Sequence, residues 1–434
     1  MPILFSDVTV VPMDGAPQVL EHAYVAVEGT KIASVGTEPP EGTFDRVVDG
    51  AGKVLLPGFV NAHTHLPMTL MRGYGGGCDL HTWLNQYIFP AEARLDSRAV
   101  AAGAGLGLAE MIASGVTCVA DMYMHTGTIA EQILEAGISA NLSCGGVYFG
   151  APEDFSPETC GDCRNQAALT EEWHGAGAGQ ILVDASVHGE YTSNPPLWRW
   201  MAEYAAEHRL GMHVHVSETQ SEHQASLERW GKTPIQALDG CGVWDCGRSL
   251  AAHCVYTTEE DWALMAEKGI SCVHNPWSNL KLGSGVAPIP AMMRAGVNVV
   301  LGTDGMSSHN SADLFSDIKL AAVLHNGVER DPMAVSAWAA LEMATVNGAR
   351  ALGRDTGVIA PGKTADLILV DLSAPNLIPC HDPVEDLVFS AHGSNVEMNM
   401  ARGQVIYEKG SFLTLDLERV RWEVEHYALP LIFG

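Results

Sequence analysis

Two histidine pairs, His63/His65 and His213/His215, are the residues of this 434-residue chain best spaced for chemistry. The first pair closes the apolar run Phe59-Val60-Asn61-Ala62. On a β-strand, residues i and i+2 point to one face, so His63 and His65 present two imidazoles side by side, where a divalent cation could join them. Pro57-Gly58 marks an abrupt start to that strand. A lone His-x-His is more often a polar strand end than a ligand pair. Here further segments supply what half a metal site lacks.

Titratable groups gather where other apolar runs stop. Ile181–Val187 ends at His188, and Met212–Ser217 carries His213 and His215 with Glu218 just beyond. Leu250-Ala251-Ala252 ends at His253, the next run at His274-Asn275, and Val299–Thr303 at Asp304. Three histidines and one aspartate suit a zinc or iron(II) ion with a water in an open position. His63, His65, His215 and Asp304 are the expected ligands of one divalent metal per subunit. His213 faces the same side as His215, so the choice between them stays open. The spacing to Glu218 favours His215 and leaves His213 to support or packing. His274 and Asn275 are expected to be hydrogen-bonding groups at a strand end.

A metal that lowers the pKa of its water towards 7 supplies hydroxide at neutral pH. Glu218, three residues past a ligand, is placed to shuttle the proton, the alternative being a solvated loop carboxylate. His253 can stabilise the hydroxide, and His188 can hydrogen-bond a substrate.

These residues need a scaffold. Eight apolar runs follow Pro57, at 58–63, 116–122, 138–144, 181–188, 211–217, 249–255, 270–274 and 297–303. Stretches long enough for helices, such as Ser97 to Ala113 and Trp198 to His208, lie between most of them. Near-continuous apolar strands alternating with helices indicate a parallel sheet buried on both faces. Eight units over about 300 residues predict a closed (β/α)8 barrel, with reactive groups at the carboxyl ends of its strands. Short strands precede it, with a hairpin at Gly29-Thr30, and strand vocabulary returns at 365–371 and 404–407. The N-terminal strands (1–57) and the C-terminal ones (357–434) are expected to form one small sheet built from both ends of the chain, with 58–356 as the barrel. Gly145 to Asn165 reads as a long loop over the barrel mouth.

Composition excludes several function classes. With 47 % hydrophobic and 18 % charged residues, the chain can bury a large core. A net charge of −28 opposes binding to nucleic acid or anionic lipid. No apolar run of about 18 residues suggests a membrane span, and the N-terminus lacks the pattern of a secretory signal. Ten cysteines, several inside apolar runs, fit reduced thiols in a cytoplasmic protein. The expected partners are a small-molecule substrate and further copies of the chain. Cys160-Gly-Asp-Cys163 and His188-Gly-Glu190 have metal-site spacing, but no second cysteine pair completes a set, so both are read as coincidental.

The segments Pro-Gly-Phe-Val-Asn-Ala-His-Thr-His (57–65), His-Val-Ser-Glu (215–218), Ala-Ala-His-Cys (251–254), His-Asn-Pro-Trp-Ser-Asn-Leu-Lys-Leu-Gly (274–283) and Leu-Gly-Thr-Asp-Gly (301–305) resemble the amidohydrolase superfamily. The resemblance is to its adenosine-type deaminases, which act on S-adenosylhomocysteine and methylthioadenosine, and to triazine hydrolases. It implies hydrolytic deamination at a single metal, usually zinc, and a (β/α)8 barrel with a small β-sandwich formed by both chain termini (1–57 and 357–434). Strand four carries no lysine to bridge a second metal. The resemblance also implies an acidic ribose-binding residue after Trp83-Leu84, for which Glu92 is the candidate, a helix N-terminal carboxylate being the alternative. Relatives that accept S-adenosylhomocysteine carry an arginine just after strand three, where this chain reads Leu142-Ser143-Cys144-Gly145-Gly146. Arg164 is the nearest substitute, and Trp277 is expected to narrow the pocket. Adenosine, 5′-deoxyadenosine, methylthioadenosine and S-adenosylhomocysteine are the expected substrates. The alternative is another heterocycle, such as a triazine, guanine or a pterin.

Overall fold

The structure is a computed structural model and describes residues 2–434. Its core strands are short and buried along their whole length: Val116–Met122, Met212–Val216, Ser249–His253 and Ile270–His274 contain no exposed position. They form two five-stranded sheets whose adjacent strands pair in parallel. One sheet runs Ala185–Gly189, Met212–Val216, Ser249–His253, Ile270–His274, Val299–Leu301. The other runs Asp304–Gly305, Phe59–His65, Val116–Met122, Ser139–Ser143, Ile181–Val183.

The expected closed cylinder is therefore not one unbroken ladder. Strands four and eight are each split, and their halves pair in different sheets. At the first split, the buried Asp184 carboxylate accepts from Asn141 Nδ2 (2.8 Å) and Gly211 N (3.1 Å) and pairs with Arg248. These bonds draw its side chain into cross-links between elements. At the second, Thr303 N donates to the Asn61 side chain at 3.0 Å. A Cβ on Gly302 would lie 2.6 Å from Asn275 Oδ1 and 2.9 Å from His63 Cβ, so only glycine allows this approach.

The helix Ser97–Ala113 has the bounds its sequence predicts, with Asp96 capping its start by accepting from Ala99 N at 2.9 Å. Its small residues let it press on the turn Leu66–Met71 that follows the first histidine pair: a Cβ on Gly103 would meet Pro67 O at 2.7 Å.

Strands from both ends of the chain join one nine-stranded hydrogen-bonded sheet. Lys53–Pro57 is its splice, lying antiparallel to Leu367–Asp371 and leading straight into the first core strand. Gly58 makes that passage, since a Cβ there would sit 2.3 Å from the Thr117 side chain. The predicted hairpin pairs Glu28 with Lys31, and Gly29 takes φ +58°. The expected long loop is shorter than predicted: a turn at Pro152–Asp154 interrupts it, and the helix Gly161–Trp173 ends it. Among the described residues, no helix is long and apolar enough to cross a membrane.

Candidate metal centre and active site

The strand registers bring distant side chains together. Asp304 pairs with Thr64 and Gly305 with His65, which sets the Asp304 carboxylate beside the first histidine pair. His215 pairs with Ala252 on one side and Gly189 on the other, where a slip in the ladder passes over His188.

His65 Nδ1 donates to Met122 O at 2.5 Å, and His215 Nδ1 donates to His188 O at 2.7 Å. A carbonyl only accepts, so each ring carries its proton on Nδ1 and turns Nε2 inward. The two Nε2 atoms face each other at 3.3 Å. Asp304 Oδ1 lies 3.2 Å from His65 Nε2 and 3.4 Å from His63 Nε2. That His63 nitrogen is buried without a hydrogen-bond partner. Donors about 2.1 Å from a tetrahedral ion are separated by about 3.4 Å, so these three separations are of the size that a small divalent ion requires.

The structure places the expected ligands in two overlapping groups. His63, His65 and Asp304 form one group able to hold a cation, and His63, His215 and His253 form a second that shares His63. His213 lies one pleat away, its Nε2 against His63 Nδ1 at 2.8 Å, as a support for that ring.

The field at the centre favours one positive charge. Burial would raise the Asp304 carboxyl, but the His63 and His65 imidazoles beside it outweigh burial and hold it well below the usual range. Burial lowers His63 to about 3. At His65 the Asp304 carboxylate overcomes burial and raises the ring to about 9. Asp304 Oδ2 accepts from Ser278 Oγ (2.6 Å) and Ser308 Oγ (2.9 Å). It sits at φ +61°, a left-handed backbone held by these bonds.

Glu218 is buried rather than solvated. Its Oε1 accepts from Ser284 Oγ at 3.3 Å, and Oε2 lies 3.8 Å from His253 Nε2. Burial pushes its carboxyl up, against the opposing effect of His253. His253 Nδ1 donates to Asn279 Oδ1 at 2.8 Å, which frees Nε2 for the centre. His188 stands beside His215 with ring centroids 4.7 Å apart, and its Nδ1 meets Thr192 Oγ1 at 3.1 Å. Burial lowers it to about 4.

Glu92 is buried and accepts from Tyr123 Oη at 2.6 Å, and the Tyr123 ring lies 6.3 Å from that of His65. Trp83 packs into the core, its indole N–H donating to Tyr74 O at 3.1 Å, and is not drawn into the histidine cluster. Arg164 is exposed, with Nη1 donating to Glu158 O at 2.8 Å. Trp277 is 41 % exposed, near His309. His274 meets His325 (Nε2 to Nε2, 3.1 Å), and Asn275 Nδ2 lies 3.3 Å from His253. Cys160 and Cys163 are buried free thiols at the start of the helix Gly161–Trp173. Glu190 is held by Arg229 (3.0 Å) and Trp230 (2.5 Å), away from the cluster.

Sequence reading passed over Ser278, Ser308, Asn279 and Tyr123. The first and third lie inside the His-Asn-Pro-Trp-Ser-Asn segment, where two polar residues on the turn after a strand were a usable signal. Ser308 and Tyr123 carry no such local mark.

Comparison with known proteins places this arrangement. A 5-methylthioadenosine/S-adenosylhomocysteine deaminase of Caldanaerobacter subterraneus subsp. tengcongensis is 41 % identical over 436 residues, covering 100 % of this chain and 99 % of the relative. A 5′-deoxyadenosine deaminase of Methanothermobacter thermautotrophicus is 40 % identical over 412 residues, 95 % of each chain. Among solved structures, an adenosine deaminase from Xanthomonas campestris with bound zinc superposes with a TM-score of 0.93 at 33 % identity, covering 99 % of this chain and 98 % of the other. The family model described as "Amidohydrolase family" matches residues 54–406, a span that contains every residue of the cluster, and the chain belongs to that family.

Proposed function

We propose that this chain is a metal-dependent hydrolytic deaminase of adenosine-type nucleosides, which replaces the ring amine by oxygen and releases ammonia. Adenosine, 5′-deoxyadenosine, methylthioadenosine and S-adenosylhomocysteine are the candidate substrates. The reading is carried by the inward-facing donors of His63, His65, His215 and Asp304, among which the pairs His65–Asp304, His65–His215 and His63–Asp304 lie 3.2 to 3.4 Å apart. They would hold one zinc or, by the same donor chemistry, iron(II). When bound, the ion would lower the pKa of a coordinated water towards 7.

The chain's own groups do the rest. His253 and Asp304 orient the attacking water oxygen at the amine-bearing carbon. Glu218 takes the water's first proton and delivers it to the adjacent ring nitrogen, then takes the second from the newly added hydroxyl and passes it to the departing amine as the C–N bond breaks and the C=O bond forms. Its raised pKa suits both halves of that task. His188 hydrogen-bonds the base, and Glu92, aimed by Tyr123, accepts from the ribose hydroxyls. Trp83 supports the Glu92 segment by packing. Arg164, exposed, is the candidate partner for a charged 5′ substituent such as the S-adenosylhomocysteine carboxylate. On this reading, residues 58–356 act as one (β/α)8 barrel, and 1–57 with 357–434 as a terminal β-sandwich. The protein is cytoplasmic and homo-oligomeric.

The test is an ammonia-release screen of zinc-loaded protein over adenosine, 5′-deoxyadenosine, methylthioadenosine, S-adenosylhomocysteine, guanine and triazines. Inosine-type products are expected, with kcat about 10²- to 10⁴-fold lower in Glu218→Gln at unchanged metal content. Turnover confined to guanine or triazines, or an unimpaired Glu218→Gln, would overturn the assignment.

A further inference from the structure

Glu222 is a buried carboxylate with no part in the chemistry described so far. It lies in the first turn of the helix Gln220–Trp230, where Thr219 Oγ1 caps its N–H at 3.1 Å. Its side chain reaches beyond that cap to the two preceding residues. Oε1 accepts from Ser217 N at 2.7 Å and Oε2 from Glu218 N at 2.8 Å.

The turn so clasped is not a relaxed one. Ser217 takes φ +49°, a conformation that a residue with a Cβ seldom adopts unless its surroundings impose it. Ser217 O accepts from Tyr256 N at 3.0 Å, so the turn is held from the other side as well. The Glu218 side chain leaves this turn for Ser284 Oγ and His253 Nε2. A carboxylate that accepts two consecutive N–H groups ties two adjacent peptide planes to one point and so fixes the turn between them, as a single hydrogen bond cannot.

We infer that Glu222 is a positioning residue for proton transfer: by holding both N–H groups of the Ser217–Glu218 turn, it aims the Glu218 carboxylate at the reacting centre without touching substrate. The inference rests on the deaminase reading above, in which Glu218 carries the proton. Glutamine at 222 keeps the shape but has one acceptor oxygen, so one of the two N–H groups then faces an amide donor. Aspartate keeps the charge but is one methylene short of the clasp.

The experiment compares kcat and KM for ammonia release from 5′-deoxyadenosine in zinc-loaded full-length protein, as wild type, Glu222→Gln, Glu222→Asp, Glu218→Gln and the Glu218→Gln/Glu222→Gln double variant. A displacement of about 1 Å can cost about 10²-fold in rate, so Glu222→Gln is expected to lower kcat by about 10- to 100-fold. KM should stay within about twofold, as for a group that acts only in the transition state. Glu222→Asp should fall between, and the Glu222→Gln change should cost nothing further once Glu218 is already glutamine. An equal relative loss in both backgrounds, or an unchanged kcat in Glu222→Gln of normal zinc content, would overturn the inference. Should Glu222→Gln fail to fold, Glu222→Asp decides by its own kcat and KM. A wild type that deaminates no nucleoside overturns the functional reading and takes this inference with it, whereas an active wild type with an indifferent position 222 overturns the inference alone.

Discussion

Removing the Ser278 hydroxyl should loosen a bound metal without altering any ligand. The hydroxyl donates to Asp304 Oδ2 at 2.6 Å, and both residues are buried. A hydrogen bond to a charged group is worth about 1.5–3 kcal/mol, which at about 1.4 kcal/mol per decade corresponds to about 10- to 150-fold in affinity. Ser308 Oγ donates to the same oxygen at 2.9 Å and remains in place. Ser278→Ala should therefore sit near the lower end, about 10-fold, as outer partners of metal ligands commonly do. Ser278→Ala/Ser308→Ala should approach the upper end, because Oδ2 then has neither donor and the carboxylate is free to rotate away from His63 and His65. The assay is competition for zinc against a chromophoric chelator, with kcat measured at saturating zinc. Weaker binding with kcat largely restored by excess metal is expected. A double variant that binds zinc within about twofold of wild type would refute the reasoning, since it would mean that the two serines do not hold the ligand.

Three further outcomes follow from the same geometry. Gly302→Ala would bring a Cβ to 2.6 Å from Asn275 Oδ1 and 2.9 Å from His63 Cβ. It should cost about 1–3 kcal/mol in urea unfolding and reduce zinc content, so normal stability with full zinc would show that the backbone has room. Tyr123→Phe removes the donor to Glu92 Oε1 and should lower kcat/KM for ribosides about 10-fold while sparing a 2′,3′-dideoxy analogue, because only the former needs Glu92 aimed. An equal loss on both substrates would contradict that. Chelation should abolish turnover and lower the melting temperature, since zinc at about 100 times its Kd stabilises the folded state by about 2.7 kcal/mol, and zinc should restore both. A melting curve insensitive to chelator would count against a metal in this cluster.

Much of this is legible in the chain's local patterns. Eight buried strands are visible because a parallel strand covered on both faces must be apolar throughout, and the helix Ser97–Ala113 because the stretch between two such runs is long enough for one. His63 and His65 could be paired because the alternation of a strand is a property of neighbouring residues alone. The terminal strands are visible as strands, but their order in the sheet is not, because that depends on which edges pair across the 309 residues between Pro57 and Leu367.

What sequence alone determined, then, is the inventory: which groups stand at strand ends, and which of them share a face. What only the tertiary structure decided is their partners. His213 and His215 are equivalent by alternation, and they part only because His63 Nδ1 meets one and His65 Nε2 faces the other. The splits at Asp184 and Gly302, the two serines on Asp304 and the Glu222 clasp arise the same way, from register and close approach. Periodicity is written within a few residues, whereas register is settled by packing between segments far apart in the chain, and no local pattern encodes that.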